Sequence, residues 1–104
     1  MPPSDASLDR ALHAIADPTR RRILQVLKEH SAEIRQAKKG NEAHRLCGGE
    51  IEERISLSQP TISHHMAILT KAGLIEVNKE GQWRWYRRNE KAIRQVVKML
   101  RGRL

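Results

Sequence analysis

The chain has 104 residues, with 20 Lys or Arg against 12 Asp or Glu, so its formal charge is +8 with five histidines neutral. That length suits one domain with a small core, and no apolar run approaches the ~20 residues of a membrane-spanning helix, which excludes one. Cys47 is the only cysteine, which excludes an internal disulfide and a multi-cysteine zinc site within one chain. The opening MPPSDASLDR lacks the apolar stretch of a secretory signal, so a cytoplasmic location is expected.

Leu8, Leu12 and Ile15, with Ala11 beside them, recur at helical spacing and predict an amphipathic helix over 5–16. Asp17-Pro18 restarts the chain, because Asp caps a helix well and Pro suits its first position. A second helix follows, with Ile23, Leu24 and Leu27 facing the core. Its end has two readings. Ile34 is in phase with Leu27, so the helix extends towards Lys39 before Gly40-Asn41; alternatively, the polar stretch 30–46 is an inserted loop.

Gly48-Gly49 reads as a break before a short helix, Glu50 to Ile55, which buries Ile51 and Ile55. Ser56-Leu57 is a tight turn, Ser58 caps a longer helix with Pro60 in its first turn, and Gly73 ends it. Residues 74–78 and 83–88 have strand character around a turn at 79–82, giving a hairpin. Asn89 then caps a last helix over 89–104, whose Ile93, Val97, Leu100 and Leu104 form one apolar stripe. The order is four helices, a hairpin and a fifth helix.

Charge is unevenly spread along this order. Residues 74–104 hold nine basic side chains against Glu76, Glu80 and Glu90, whereas residues 1–73 are nearly balanced. All three aromatics, Trp83, Trp85 and Tyr86, lie in the same basic third. A basic run is often only a solvated face; concentrated around an aromatic hairpin, it also suits phosphates, whose counterions it would release.

A short helix, a tight turn and a longer capped helix form a helix-turn-helix pattern. On a wheel of about 100° per residue, Ile62, Met66 and Leu69 cluster as the core stripe of 58–73. Thr61, His64, Ala67, Ile68 and Lys71 lie broadly opposite, with Ser63 at the margin. A face of small, hydrogen-bonding groups can approach base edges in a major groove about 12 Å wide. His64 points outward, whereas His65 flanks the core stripe and is expected to make a structural hydrogen bond.

Asp17-Pro18-Thr19-Arg20-Arg21-Arg22-Ile23-Leu24 and Leu57-Ser58-Gln59-Pro60-Thr61-Ile62-Ser63-His64-His65-Met66 resemble the ArsR/SmtB family of bacterial winged-helix repressors. Ala72-Gly73-Leu74-Ile75 and 80–87 extend that resemblance, which covers the chain apart from about 30–46. It implies a mainly α winged helix-turn-helix fold with a β-hairpin wing. It also implies a homodimer joined through Leu8, Leu12, Ile15, Ile93, Val97 and Leu100, reading a palindrome-like double-stranded DNA operator. The DNA contacts implied are Ser58, Gln59, Thr61, Ser63, His64 and Lys71 on the helix, and Lys79, Gln82 and Arg84 on the wing. Trp85 and Tyr86 are read as packing residues. Three departures from the family pattern are Glu52 for a small residue, Ser56 for the turn glycine and Arg88 for an apolar residue.

Relatives of this kind release DNA when a metal, oxidant or other small signal binds. The thiolate pattern Cys-x-Cys is half filled here, by Cys47 with Gly49 in the second place, and one thiolate cannot make a three-coordinate soft-metal site. The acid-and-histidine pattern of the last helix has Glu90, but Ala92 stands where a histidine would be. No metal and no cofactor is therefore expected. Cys47 is the candidate redox sensor, and a small-molecule effector remains open. The expected function is a homodimeric, sequence-specific transcriptional regulator of the repressor type. The alternative is a winged-helix module that binds protein, or nucleic acid without sequence preference. No nucleophile elbow, phosphate loop or paired-histidine motif suggests an enzyme.

Overall fold

In the computed structural model, which describes residues 5–104, five helices surround a small three-stranded sheet. Helix α1 (Asp5–Ile15) is followed without a loop by α2 (Pro18–Gln36). The junction works because Asp17 Oδ1 accepts from the N–H groups of Thr19 (2.8 Å) and Arg20 (3.2 Å), while Pro18 needs no partner there. Slight desolvation raises the Asp17 carboxyl, but those N–H groups and the Arg20 charge outweigh it and hold it below the usual 3.8. This cap therefore acts fully above pH 3.8 and weakens as pH falls through the lower folded value.

Helix α2 runs to Gln36, with Ile34 buried in phase with Leu27, and ends where Lys38 takes a left-handed φ of 56°. The rest of the polar stretch is neither helix nor open loop. A 3₁₀ turn (Asn41–His44) leads into a two-residue strand, β1 (Leu46–Cys47), which sequence periodicity is too short to reveal. Helix α3 (Gly48–Ile55) begins at the glycine pair instead of after it. The Cys47 thiol accepts from the backbone of Glu50, and the Glu50 carboxylate accepts from the Cys47 N–H (3.1 Å), so the helix starts two residues before Glu50.

Helix α4 (Gln59–Lys71) buries Ile62, Met66 and Leu69, and Gly73, at φ +77°, ends it. Strands β2 (Ile75–Glu80) and β3 (Trp83–Arg88) pair antiparallel with Glu80 opposite Trp83, so the turn is only Gly81-Gln82. Positive φ at Gly81 alone is the II′ pattern, which lets β2 run two residues further than a four-residue turn at 79–82 while β3 still starts at Trp83. Strand β1 adds to the other side of β3, with Leu46 opposite Tyr86, giving the order β1-β3-β2.

Asn89 caps α5 (Glu90–Arg103) through the Ala92 N–H (3.1 Å) and ties it to the hairpin by donating to Leu74 O (2.9 Å). Arg88, the departure at the hairpin's end, pairs with Glu90 and donates Nη1 to Leu24 O on α2 (3.1 Å). The hydrogen bond from Arg88 holds the Glu90 carboxyl below its usual value against partial desolvation.

The core joins Ala11 and Ala14 of α1, Ile23, Val26 and Leu27 of α2, Ile51 of α3, the α4 stripe, and Leu46, Ile75 and Tyr86 of the sheet. Ile68 does not lie on the open face of α4, where the wheel puts it; it packs partly buried against this core beside α1. Helix α5 buries no residue fully: Ile93 and Val96 rest on the core, while Val97 is 49% exposed.

The turn between α3 and α4 stores strain. Ser56 sits in the left-handed region (φ 61°, ψ 41°), donating its N–H to Glu52 O (2.9 Å) to close α3. A Cβ costs roughly 1–2 kcal/mol there, partly offset by the chain entropy that glycine loses on folding. Ser56→Gly is expected to stabilise the protein by about 0.5–1 kcal/mol, read as a higher denaturant midpoint at unchanged slope.

Candidate nucleic-acid interface

The open face of α4 follows from burial of the other one. With Ile62, Met66 and Leu69 fixed inside, 100° per residue leaves Thr61, Ser63, His64, Ala67 and Lys71 in solvent, and all are exposed. At its N-terminus, the Ser58 hydroxyl caps no backbone N–H. It hydrogen-bonds the Thr61 hydroxyl instead (3.0 Å). The first-turn amides of α4 thus keep their outward partial positive charge uncancelled by a side chain.

The adjacent histidines divide as their wheel positions require. Arg20 Nη1 donates to His65 Nδ1 (3.1 Å), so Nδ1 is the acceptor and the ring proton sits on Nε2. The same guanidinium donates from Nε to Ala14 O (2.6 Å) and from Nη2 to His13 O (3.1 Å). Arg20 is 7% exposed and is the only buried charged residue among the described residues. Sequence reading missed it, since nothing in residue type distinguishes it from its neighbours Arg21 and Arg22, both exposed. His64 remains free of protein hydrogen bonds in the described structure and lies 5.6 Å, ring to ring, from His65.

A groove of about 510 Å³ separates α4 from the hairpin. Gln59 and Ser63 line one side, and Gln82, Trp83 and Arg84 line the other, with Gly48 and Gly49 of α3 at the end. Four expected contact residues are thereby brought together. Lys79 is opposite Arg84 across the hairpin, and two like charges directly paired weaken a sheet unless an anion joins them. Lys71 does not join the group. It lies with Asp9, Arg10 and His13 in the crevice between α1 and the far end of α4, roughly 18 Å along the helix from Gln59.

Two groove residues were missed. Glu52 is half-buried in its floor with no ion pair or hydrogen bond from its side chain among the described residues. Trp83 is 55% exposed at its rim. Strand alternation does separate the aromatics as expected: Trp83 and Trp85 stack at 6.4 Å on the outer face, while Tyr86 is buried on the inner one. Trp85 is only half-buried and is covered by a side chain from the polar stretch, not by the core.

Cys47 is 8% exposed and engaged in the cap of α3, so a reagent reaches the thiol only after β1 or α3 opens. Among the described residues, no three His, Cys, Asp or Glu side chains gather as metal ligands, and no helix is long and apolar enough to cross a membrane.

Residues 42–77, spanning the helix-turn-helix, match the family model for bacterial regulatory proteins of the arsR family. The transcriptional repressor SdpR of Bacillus subtilis is 32% identical over 90 residues, covering 86% of this chain and 84% of that protein. The chain belongs to the ArsR family. It is accordingly a transcriptional regulator with a winged helix-turn-helix DNA-binding domain, and the family and fold are not those of enzymes. The fold is shared with a solved ArsR-family transcriptional regulator (TM-score 0.75, 21% identity), across 99% of this chain and 92% of that one. It is also shared with a homodimeric winged helix-turn-helix domain of Mycobacterium bovis (TM-score 0.65, 22% identity), across 91% and 76% of the two chains.

In this ArsR-family chain, the packing of α4 on α1 is reinforced by one guanidinium that bonds to both. Arg20→Ala leaves the Ala14 carbonyl and His65 Nδ1 without this donor and takes one of two donors from His13 O, and is expected to cost about 3–5 kcal/mol of unfolding free energy in chemical denaturation.

Proposed function

We propose that the protein is a homodimeric, sequence-specific repressor that binds a palindrome-like operator through α4 and the hairpin wing. The observation that carries this reading is the convergence of Gln59 and Ser63 of α4 with Gln82 and Arg84 of the wing on one open groove, with Thr61 and His64 exposed on the same helix. A helix in the major groove, and a cationic wing beside it, then grip one strand between them. Thr61, Ser63 and His64 serve as base-edge readers, with Ser58, Gln59, Lys79, Gln82 and Arg84 as backbone contacts. Lys71 stands too far along α4 to share the groove and acts, if at all, on a more distant phosphate. The repressor role is supported by the likeness to SdpR.

Dimerisation is supported by the unfilled apolar stripes. Leu12 of α1 is 37% exposed and Val97 of α5 is 49% exposed, while Ile15, Ile93 and Leu100 are half-buried and Leu8 is the most enclosed of the six. Pairing α1 and α5 with those of a second copy would cover them. The long axis of one protomer is 37 Å, compatible with two recognition helices about one DNA turn, ~34 Å, apart. The fold shared with the homodimeric Mycobacterium bovis domain agrees with this arrangement. Operation in the cytoplasm, and release of DNA by a signal, complete the proposal.

An operator recovered from a randomised duplex library provides the test. His64→Ala should weaken that site by roughly 1–3 kcal/mol and leave arbitrary duplex binding unchanged. Arg84→Ala should weaken all duplexes and reduce the logarithmic salt slope by about 1.8, one phosphate contact being lost from each of two protomers. Equal losses on every sequence for His64→Ala would remove it from base reading. Separately, Val97→Glu should shift sedimentation from dimer to monomer, with helical circular dichroism retained; an unchanged dimer would rule out the α5 stripe as its interface.

A further inference from the structure

The polar stretch between α2 and α3 has no part in the groove, yet it touches the wing at a mechanically decisive place. Strand β1 pairs only with Tyr86 and Trp85, so it supports only the base of the hairpin. Residues 79–84, where the wing contacts lie, have only each other as strand partners, and a two-stranded hairpin is marginal by itself. Arg45, the residue before β1, reaches that unsupported end. Its Nη2 pairs with Glu80, the last residue of β2 (3.0 Å), and with Glu42 (3.3 Å). Its guanidinium carbon stands 4.9 Å from the Trp85 ring centroid, and Trp83 stacks next along at 6.4 Å. The result is a column of Arg45, Trp85 and Trp83 running up the outer face of the wing.

The root of this column is fixed on α2. His30 Nε2 donates to Ala43 O (2.6 Å), and His44 Nδ1 bonds the Ser31 hydroxyl (3.1 Å), which anchors the 3₁₀ turn to the central helix. The Arg45 side chain is only 13% exposed, so its pairing is less screened than that of a surface ion pair. Two carboxylates occupy its charge, and it lies on the sheet face opposite Arg84 and Lys79. It is therefore unsuited to hold a phosphate itself.

We infer that Arg45 is a positioning residue for the wing: stacked on Trp85 and paired with Glu80, it sets the angle at which Lys79, Gln82 and Arg84 meet DNA. This inference rests on the DNA reading given above, and two kinds of measurement separate them. Without DNA, both tryptophans of the chain are on the wing, so their emission reports on it alone. Arg45→Ala should raise acrylamide quenching about twofold, and unchanged quenching overturns the brace.

With the recovered operator, Arg45→Ala should weaken binding about tenfold and erase the outer, wing-side protections of a hydroxyl-radical footprint while those of α4 persist. Arg45→Lys should fall between the two, since it restores the charge beside Glu80 but not the planar stack. In a chain already carrying Lys79→Ala, Gln82→Ala and Arg84→Ala, Arg45→Ala should cost less than a further twofold, because the contacts it acts through are gone. The same tenfold loss in both backgrounds, or an intact wing footprint, overturns the inference. Should circular dichroism reveal an unfolded Arg45→Ala, Glu80→Gln breaks the same pair from its exposed side and is read identically. A wild-type chain that selects no duplex fails the DNA reading, whereas altered quenching with an unaltered footprint fails this inference alone.

Discussion

One buried guanidinium governs the placement of the recognition helix. Arg20 lies where α1 ends, α2 begins and α4 passes, and its three nitrogens each have an acceptor there. Taking a charge out of water costs several kcal/mol, which only good geometry returns. Here two acceptors are carbonyls in the last turn of α1, His13 O, which also accepts from Ala16 N–H, and Ala14 O, and that helix end carries partial negative charge. The third is His65, and through it the rotation of α4 about its own axis is set. With His65 turned inward, its neighbour His64 must emerge about 100° away. A core contact and the outward face of the helix are thus two ends of one constraint.

Much of the fold was legible because it rests on patterns with a local physical cause. The Asp17-Pro18 start, the Ile62, Met66 and Leu69 stripe, and the Asn89 cap are each decided by a few adjacent residues, and each stands in the structure where those residues put it. The features that escaped are those decided across the chain. Strand β1 is two residues long and exists because β3 offers an edge to it. The start of α3 at Gly48 depends on reciprocal bonds between Cys47 and Glu50, which overcome the low helix preference of two glycines. Ile68 falls on the open side of a wheel, but α1 arrives to cover it. The burial of Arg20 likewise follows from where α1 ends and α4 passes, which residue type alone cannot announce.

The candidate site was legible to a different degree. Residue type and helical phase sufficed to put Thr61, Ser63 and His64 on the exposed face of α4, because one buried face dictates the opposite one. They do not show how far along α4 a residue lies from the groove, and Lys71 lies at the far end, beside α1. Nor did they reveal that Ser58 and Thr61 satisfy each other, leaving the helix N-terminus uncapped by a side chain. That arrangement is locally unfavourable in the isolated protein and suits an anion arriving from outside.

The same logic applies across the groove. Lys79 faces Arg84 on the hairpin, Trp83 is held in solvent, and Glu52 sits half-buried without a partner. Every one of these is a small local penalty; Glu52, Trp83 and Arg84 line one groove, and Lys79 stands opposite Arg84. Elsewhere the described structure resolves such conflicts: Arg88 finds Glu90 and Leu24, Arg45 finds Glu42 and Glu80, and Arg20 finds three acceptors. Those pairings hold the scaffold together, whereas among the described residues Glu52 lines the groove with no ion pair or hydrogen bond from its side chain. With the groove taken as the DNA interface proposed above, the complement of a cationic wing beside a helix N-terminus is a strand of phosphates, which Glu52 opposes. On that reading the groove would favour duplexes whose path keeps the backbone clear of Glu52, which would make DNA shape a part of what the protein reads.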